Sequence, residues 1–290
     1  HVIRGDEWLS SLPKHSLIIR AFGWQEPLWC HLSILKNPSG KGKMSKRDAT
    51  DQKLAAGRSI FVHDLQQAGY LSAAVVNWMA LMGWSYDDRS EDFTLDELME
   101  AFTLNRLTVS PASVSFERLD HFQGKYMRGL PSQVVASRIK PFLEAEGLKP
   151  ENARLLKIVP LIQERIVTFS DAPQWSGFFF RDKVSPKAED LVPRNMSVQQ
   201  SYHALKQAHE VLETLPDFDS ESMHKALRSL AEQVELKPGQ LFTPVRVALT
   251  GQLVSPPLFE TMEILGREVV LNRIAQAEQL LSGNAAGLDM

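Results

Sequence analysis

The sequence predicts a mostly α-helical protein with a small α/β portion at its front. Short apolar runs punctuated by glycine and proline occur in residues 16–36, where Leu17–Ile19 and His31–Leu35 are each typical of a strand. After Arg47 the apolar residues recur at helical spacing, and helix start and stop signals follow one another. With 43% hydrophobic and 23% charged residues among 290, the composition argues against a disordered, collagen-like or coiled-coil chain. The length suggests about two domains.

The front half carries turn and cap signals. Asn37–Gly40 predicts a turn. Ser72–Gly83 predicts an apolar helix closed by its glycine, and Thr94–Glu97 is a capping box that begins a helix through Phe102. Ser110–Pro111 predicts the start of a further helix, one face of which would carry Val114, Leu119 and Phe122.

The rear half predicts a long all-helical body interrupted by one irregular connector. The connector is residues 171–194, which hold three prolines and a run of three phenylalanines. The predicted helices are Ser132–Glu146, Asn152–Phe169, Val198–Leu215, Ser222–Val234 and two that begin near Pro257 and Glu268.

Charge is unevenly distributed along the chain. The net charge is −3, but residues 1–50 carry +4 and residues 51–100 carry −6. The densest basic patch is Lys36–Arg47, with five cations and no acid. Because the local field decides whether a surface meets phosphate, this distribution permits nucleic-acid binding without demonstrating it.

Hydropathy and cysteine usage restrict the class of protein. Apolar stretches such as Ala73–Val76, broken by Asn77, are far shorter than the roughly 18 residues of a membrane helix. The single Cys30 excludes an intramolecular disulfide and fits a reducing compartment, so we expect a cytoplasmic protein with no membrane partner. The chain opens on His1, without an initiator methionine or a signal peptide, which predicts either processing or a piece of a longer protein.

The segment that points most directly to chemistry is Lys43–Arg47. Its two lysines, Lys43 and Lys46, stand three residues apart between a glycine-rich turn and a predicted helix, and could close over a polyphosphate. Each ammonium is a compact, mobile charge that suits the charge building on a leaving pyrophosphate. A solvated basic loop or a nucleic-acid patch is the alternative. No metal site is predicted, because His203 and His209, six residues apart, face different ways on their helix.

Eight short motifs, the lysine loop among them, follow one another along the chain. They are His1–Trp8, Ala21–Trp24, His31–Pro38, Lys43–Arg47, Gly69–Leu71, Leu81–Trp84, Pro244–Gly251 and Ser255–Glu260. This order resembles bacterial glutamyl-tRNA synthetase, a class I aminoacyl-tRNA synthetase, and the lysine loop resembles the second signature motif of that class. The resemblance spans nearly the whole chain.

The resemblance implies a fold in four parts. Residues 1–48 would be the end of a class I Rossmann-like catalytic domain with its Lys-Met-Ser-Lys-Arg loop, and residues 49–130 a helical domain that contacts the tRNA stem. An all-α anticodon-binding region would follow as two subdomains, 131–183 and 184–290. The His-x-Gly-His signature of the class is absent from the sequence. We therefore expect the carboxy-terminal part of the enzyme, inactive without the amino-terminal half of the catalytic domain.

The resemblance also assigns roles at the catalytic end. Arg4 matches the arginine that holds the carboxylate of glutamate, which suits a guanidinium fork. Glu7 and Trp8 match residues that line the pocket for ATP and the tRNA acceptor end. Ile34 and Leu35 match the pair whose backbone meets adenine, while Lys43 and Lys46 match the lysines that stabilise the transferring phosphates. A surface salt bridge for Arg4 and a core position for Trp8 stay open as alternatives.

At the anticodon end, Arg246, Ser255, Pro256 and Phe259 match residues that receive anticodon bases. Arg165, expected on a long amphipathic helix, falls about where the family reads the third anticodon base. A solvated Arg165 and a packing role for Phe259 are the alternatives. The sequence departs from the family pattern at Ser33, where proline is usual, at Met44, where leucine is frequent, and at residues 48–51 after the loop.

The implied activity is glutamate–tRNA ligation. Glutamate would attack the α-phosphate of ATP to give glutamyl-adenylate, and the acyl group would pass to the 3′ end of tRNA(Glu). ATP with Mg²⁺ would be the substrate of the intact, mostly monomeric enzyme, and no bound cofactor is expected in this segment. A non-catalytic tRNA-binding helical module is the alternative function. Whether tRNA(Gln) is also charged is left open.

Overall fold

The computed structural model describes residues 1–44, 61–87, 89–108 and 110–286, the last three of them by backbone alone. Two compact units divide the chain, His1–Leu130 and Pro131–Met290. The described residues form two strands and thirteen α-helices, which confirms the mostly α fold class. The division into four parts stays a prediction.

Unit 1 begins with a strand–helix–strand arrangement. The strands β1 (Val2–Gly5) and β2 (Trp29–Leu32) pair in parallel, with Arg4 opposite His31. A 3-10 helix (Asp6–Ser11) and α1 (Leu12–Ala21) connect them. Parallel neighbours require a crossover of this kind, because a tight hairpin can join only antiparallel strands.

The strand predicted at Leu17–Ile19 is wrong, since these residues lie inside α1. Pro13 stands in the first turn of α1, where its fixed φ and missing N–H suit a helix. Leu17 and Ile18 are exposed, so their apolar character does not reflect a buried sheet. The turn predicted at Asn37–Gly40 is confirmed, because the Gly40 amide donates to the Asn37 carbonyl at 2.9 Å and Gly40 has a φ of 73°.

Four helices follow in unit 1, and α3 (Ser72–Ala80) packs on α5 (Phe116–Arg128) around a core of Trp78, Phe116, Leu119 and Phe122. The buried Asn77 joins α3 to the next loop, because its side chain bonds the Glu91 carbonyl and the Phe93 amide. The capping box of Thr94 and Glu97 is confirmed. The bounds are α2 (Val62–Gln67), α3 (Ser72–Ala80), α4 (Leu95–Ala101) and α5 (Phe116–Arg128), with a 3-10 turn at Leu104–Arg106.

The helix start predicted at Ser110–Pro111 is wrong, and α5 begins at Phe116 with Ser115 as its N-cap. Residues 112–114 instead run beside Lys36. The Lys36 amide donates to the Ala112 carbonyl at 2.8 Å, and the Val114 amide donates to the Lys36 carbonyl at 3.0 Å. A partner more than seventy residues away in sequence therefore overrides the local helix signal.

Unit 2 contains eight helices in its described residues. The helix predicted for Asn152–Phe169 ends at Ile162, because the Asp171 carboxylate accepts the amides of Val167 and Thr168 and begins a new turn. The connector predicted as irregular contains α8 and a 3-10 turn at Gly177–Phe180. The bounds are α6 (Ser132–Ala145), α7 (Asn152–Ile162), α8 (Ala172–Ser176), α9 (Val198–Thr214), α10 (Ser220–Gln233), α11 (Pro238–Thr250), α12 (Leu258–Leu265) and α13 (Arg267–Ala286).

The core of unit 2 forms where α13 lies along α9 and against α11. Leu205, Ala208 and Leu212 of α9 and Val270, Ile274 and Ala277 of α13 are all buried. A separate contact joins α6 and α7. Within the described ranges, no helix is both long and apolar enough to cross a membrane.

Candidate functional site

Arg4 is held by the strand–helix–strand arrangement of unit 1. Its Nε donates to His31 Nε2 at 3.2 Å, and its Nη1 lies 2.9 Å from His15 Nδ1 on α1. The guanidinium lies 4.7 Å from the centre of the Trp29 ring and 5.9 Å from that of Trp8. Both strands and α1 therefore orient this side chain.

No carboxylate pairs with Arg4 in the part of the chain that the structure describes, so the alternative of a surface salt bridge is not the arrangement seen. Its partners are imidazole nitrogens and a backbone carbonyl, which leave the positive charge available to an incoming anion. Trp8 is 50% exposed beside His15, and the alternative of a core position is excluded as well.

Lys43 and Glu7 are brought together from 36 residues apart. Lys43 Nζ donates to Glu7 Oε1 at 2.9 Å, and this bond holds the pKa of the Glu7 carboxyl below its usual value. The two side chains are 55% and 47% exposed. Exposed ion pairs contribute only about 0–1 kcal/mol, so a polyphosphate could displace Glu7 from the ammonium. Lys46 lies outside the described residues.

Ile34 and Leu35 lie just beyond β2, after Ser33. The Leu35 carbonyl accepts the Met44 amide at 2.7 Å, which ties this segment to the beginning of the lysine loop. The Ser33 hydroxyl donates to the Ser110 carbonyl at 3.0 Å, a bond that proline, usual here in the family, could not make.

In unit 2 the structure joins three of the predicted anticodon residues. Arg246 Nη1, on α11, donates to Ser255 Oγ at 2.7 Å and to the Pro256 carbonyl at 3.1 Å. Ser255 and Pro256 are buried in the loop before α12. Gly251 makes this approach possible, because its left-handed φ of 73° ends α11 and reverses the chain. We call Arg246, Ser255 and Pro256 the Arg246 cluster.

Arg165 lies near the Arg246 cluster, but in a turn after α7 and not within the helix, which corrects the sequence expectation. It is exposed, and its guanidinium lies 5.8 Å from the centre of the Trp175 ring. Burial lowers the pKa of Arg246, and the Arg165 charge lowers it further. Two like charges thus stand close to each other, an arrangement that favours a bound anion.

Phe259, the remaining predicted residue, packs in an aromatic cluster. Its ring centre is 5.3 Å from that of Phe242 and 4.8 Å from that of His224. This matches the packing alternative. Sequence reasoning missed Trp175, which lies in the predicted connector, and the exposed apolar pair Leu253–Val254 beside the Arg246 cluster. The pair could have been noticed in the sequence, because Leu253 and Val254 are consecutive apolar residues in the short segment between Gly251 and Pro256.

Among the described residues, no group of three or more histidine, cysteine, aspartate or glutamate side chains could hold a metal ion. The candidate groups that the structure positions are cationic: the oriented guanidinium of Arg4 and the ammonium of Lys43 in unit 1, and the neighbouring guanidiniums of Arg165 and Arg246 in unit 2.

Comparisons with known proteins also distinguish two parts of the chain. The model of the class I tRNA synthetase catalytic domain, for the E and Q enzymes, matches residues 1–121. The model of an anticodon binding domain matches residues 134–278, half of the chain. Glutamate–tRNA ligase from Dehalococcoides mccartyi is 40% identical over 287 residues. The chain belongs to the bacterial glutamyl-tRNA synthetase family.

Relatives within this glutamyl-tRNA synthetase family extend beyond the matched region. The D. mccartyi match covers 97% of this chain and 57% of the relative, and glutamate–tRNA ligase from Chloroflexus aurantiacus is 38% identical with 96% and 55% coverage. A crystal structure of a glutamate tRNA ligase from Elizabethkingia meningosepticum superposes with a TM-score of 0.81 at 30% identity, covering 97% of this chain and 57% of that one. The chain thus spans little more than half the length of these relatives.

Proposed function

We propose that this chain forms the later part of a glutamate–tRNA ligase, supplying the end of the catalytic domain and the tRNA-binding helices. The observation that carries the proposal is the order of the two matched domains, each with its own cationic site: Arg4 and Lys43 within residues 1–121, Arg165 and the Arg246 cluster within residues 134–278. A helical scaffold without such sites would not require this order.

In the proposed reaction, a carboxylate oxygen of glutamate attacks the α-phosphorus of ATP. The bond from the α-phosphorus to the bridging oxygen breaks, and pyrophosphate leaves with its electron pair. Arg4 would hold the other carboxylate of glutamate through its guanidinium fork. Lys43 would exchange Glu7 for the phosphates, and Lys43 and Lys46 would stabilise the charge that develops on pyrophosphate. Mg²⁺ arriving with ATP would supply further charge stabilisation at the phosphate oxygens.

The second step transfers the glutamyl group to a ribose hydroxyl at the 3′ end of tRNA(Glu), and AMP leaves. Exposed Trp8 would pack beside the acceptor end. The Arg246 cluster, with Arg165 and Trp175, would receive unstacked anticodon bases by hydrogen bonding and stacking. This arrangement would give unit 2 the recognition role and unit 1 a share of the chemistry.

An apolar face on unit 1 supports a requirement for more of the catalytic domain. Leu17, Ile18, Phe22, Trp24 and Leu28 are all exposed, and the rings of Phe22 and Trp24 stack at 4.8 Å. Exposed large apolar side chains in such number within one short segment are typical of an interface. We therefore expect ligation only when the rest of a class I catalytic domain covers this face.

The experiment is aminoacylation of tRNA(Glu) with radiolabelled glutamate. The chain is assayed alone and after mixing with, or fusion to, the part of a relative that it does not match. Charging that appears only with the added part supports the proposal. Salt-sensitive binding of tRNA(Glu) with no charging in either arrangement would instead indicate the non-catalytic binding module. Monomeric state and cytoplasmic location stay predictions, and sedimentation of the full chain checks the first.

A further inference from the structure

A cavity of about 280 Å³ in unit 2 has an unusual charge balance. It lies beside α7 and α13 and shares no residue with the Arg246 cluster. Four cationic and two acidic side chains line it: Lys149, Arg154, Arg181, Arg273, Glu151 and Asp182.

Arg273 is the most deeply buried of these charges, with only 3% of its surface exposed. Its Nη1 donates to the Leu249 carbonyl at 2.6 Å, and its Nη2 donates to the carbonyls of Phe178 at 2.9 Å and Arg181 at 2.6 Å. Its Nε has no hydrogen-bond partner within the described part of the chain. Every partner is a neutral carbonyl, and burial lowers the pKa of Arg273 to about 10. A buried charge of this kind usually has a counter-charge.

Arg154 brings a second guanidinium to the cavity. It is half-buried, and its Nη2 makes one long bond, 3.4 Å, to the Ile264 carbonyl. Its charge further lowers the pKa of Arg273, so the two guanidiniums are close enough to repel each other. The Glu151 charge acts to raise the pKa of Arg154, and the Asp182 charge acts to raise that of Arg273, but burial outweighs both. Both carboxylates are exposed, and neither forms an ion pair with these arginines in the described residues. Arg181 is already paired with Glu146 at 2.7 Å.

We propose that this cavity binds a phosphate group, contacted by Arg154 and Lys149 and favoured by the buried charge of Arg273. Guanidinium groups match phosphate oxygens in geometry and charge, and the bound anion would relieve the repulsion between the two arginines. The ring of Phe180, 5.8 Å from the Arg154 guanidinium, limits the positions that this side chain can take. The site does not depend on ligase activity and goes beyond the proposed function.

The group could belong to a small phosphate compound or to an RNA backbone, and the experiment distinguishes these sources. Binding of inorganic phosphate to the full chain is measured by isothermal titration calorimetry and thermal unfolding, with NaCl of equal ionic strength as the reference. Arg154→Gln should weaken phosphate binding by roughly tenfold or more, since it removes a charge-assisted contact. Lys149→Gln, at an exposed position, should weaken it several-fold without affecting folding. Arg138→Gln, on an exposed part of α6 outside the cavity, is the matched control and should bind like the unchanged chain.

Two results would overturn the proposal. One is stabilisation by NaCl equal to that by phosphate. The other is phosphate affinity that is the same in the unchanged chain, Arg154→Gln and Lys149→Gln. In a competition arm, an oligouridine without an anticodon sequence is titrated against bound phosphate. If the oligouridine displaces phosphate from the unchanged chain and Arg154→Gln abolishes this effect, the site is supported with an RNA backbone as the source of the phosphate group. If phosphate stays bound, the site is supported with a small phosphate compound as the source.

Discussion

Replacing Arg246 with alanine should weaken the binding of tRNA(Glu) far more than it weakens the fold. The unchanged guanidinium bonds Ser255 Oγ and the Pro256 carbonyl. Removal leaves the Ser255 hydroxyl satisfied, because it also donates to the Pro256 carbonyl at 2.9 Å. The loss of two hydrogen bonds is further offset by relief of the repulsion with Arg165, so we expect the free energy of unfolding to fall by only about 1 kcal/mol.

The effect on tRNA should be larger, because an arginine that reads a base edge contributes about 1–3 kcal/mol to binding. This corresponds to a dissociation constant raised roughly 5- to 150-fold. Arg246→Lys keeps the charge but loses the fork, so it should recover only part of the affinity.

The assay is fluorescence anisotropy of labelled tRNA(Glu) at one fixed salt concentration, with a second tRNA whose anticodon is altered. Arg228→Ala, exposed on α10, is the matched control. If Arg246 contacts an anticodon base, Arg246→Ala should weaken the binding of tRNA(Glu) and have no effect on the binding of the altered tRNA. If Arg246 contacts a phosphate, the substitution should weaken the binding of both tRNAs equally. Affinity for tRNA(Glu) within twofold of the unchanged chain, or an equal loss in Arg228→Ala, would refute the assignment.

Three further predictions address the ion pair, a helix cap and the core. Lys43→Gln should leave the free energy of unfolding nearly unchanged, since the ion pair with Glu7 is exposed. It should nevertheless slow adenylate formation by the completed enzyme, measured by pyrophosphate exchange, and normal exchange would contradict a phosphate role. Thr94→Ala should cost unit 1 about 1 kcal/mol in urea unfolding. Hydrogen bonds from Thr94 lower the pKa of Glu97 below the ordinary value of about 4.5. The cap therefore stabilises the fold fully above that ordinary value, and its contribution is lost as the pH falls through the lowered pKa of Glu97. An equal cost of Thr94→Ala at neutral and at strongly acidic pH would disprove this. Ile158→Ala, fully buried on α7, should cost about 2–5 kcal/mol, while Leu156→Ala, 38% exposed on the same helix, should cost far less.

Local signals gave those parts of the fold whose causes are local. The face of Leu119 and Phe122 is buried as predicted, because helical periodicity reports burial directly. The capping box at Thr94 needs only residues three apart. In contrast, Leu17–Ile19 has an aliphatic composition that suits a strand, and only the parallel pairing of β1 with β2 requires a helix there.

The candidate site divides in the same way. The motifs identified Arg4 and Lys43, but the neighbours of Arg4 could not be found along the sequence, because strand pairing and the crossover helix bring His31, His15 and Trp29 to it. The resemblance identifies Arg165, but the helical pattern predicts it within a helix, whereas it lies in a turn after α7. Asp171 lies nine residues after Ile162, the last residue of α7. Its carboxylate accepts the amides of Val167 and Thr168, which a longer helix would need for its own backbone hydrogen bonds, and helical periodicity does not report such a bond.

The position of α13 has a consequence for synthesis on the ribosome. Arg273 of α13 binds the carbonyl of Phe178, 95 residues earlier, and the helix also covers α9 and α11. Unit 1 can close its core while the remainder of the chain is still being translated, whereas unit 2 waits until α13 has left the exit tunnel. During that interval the apolar sides of α9 and α11 that α13 covers remain exposed, and a transiently exposed apolar surface of this kind is prone to aggregation.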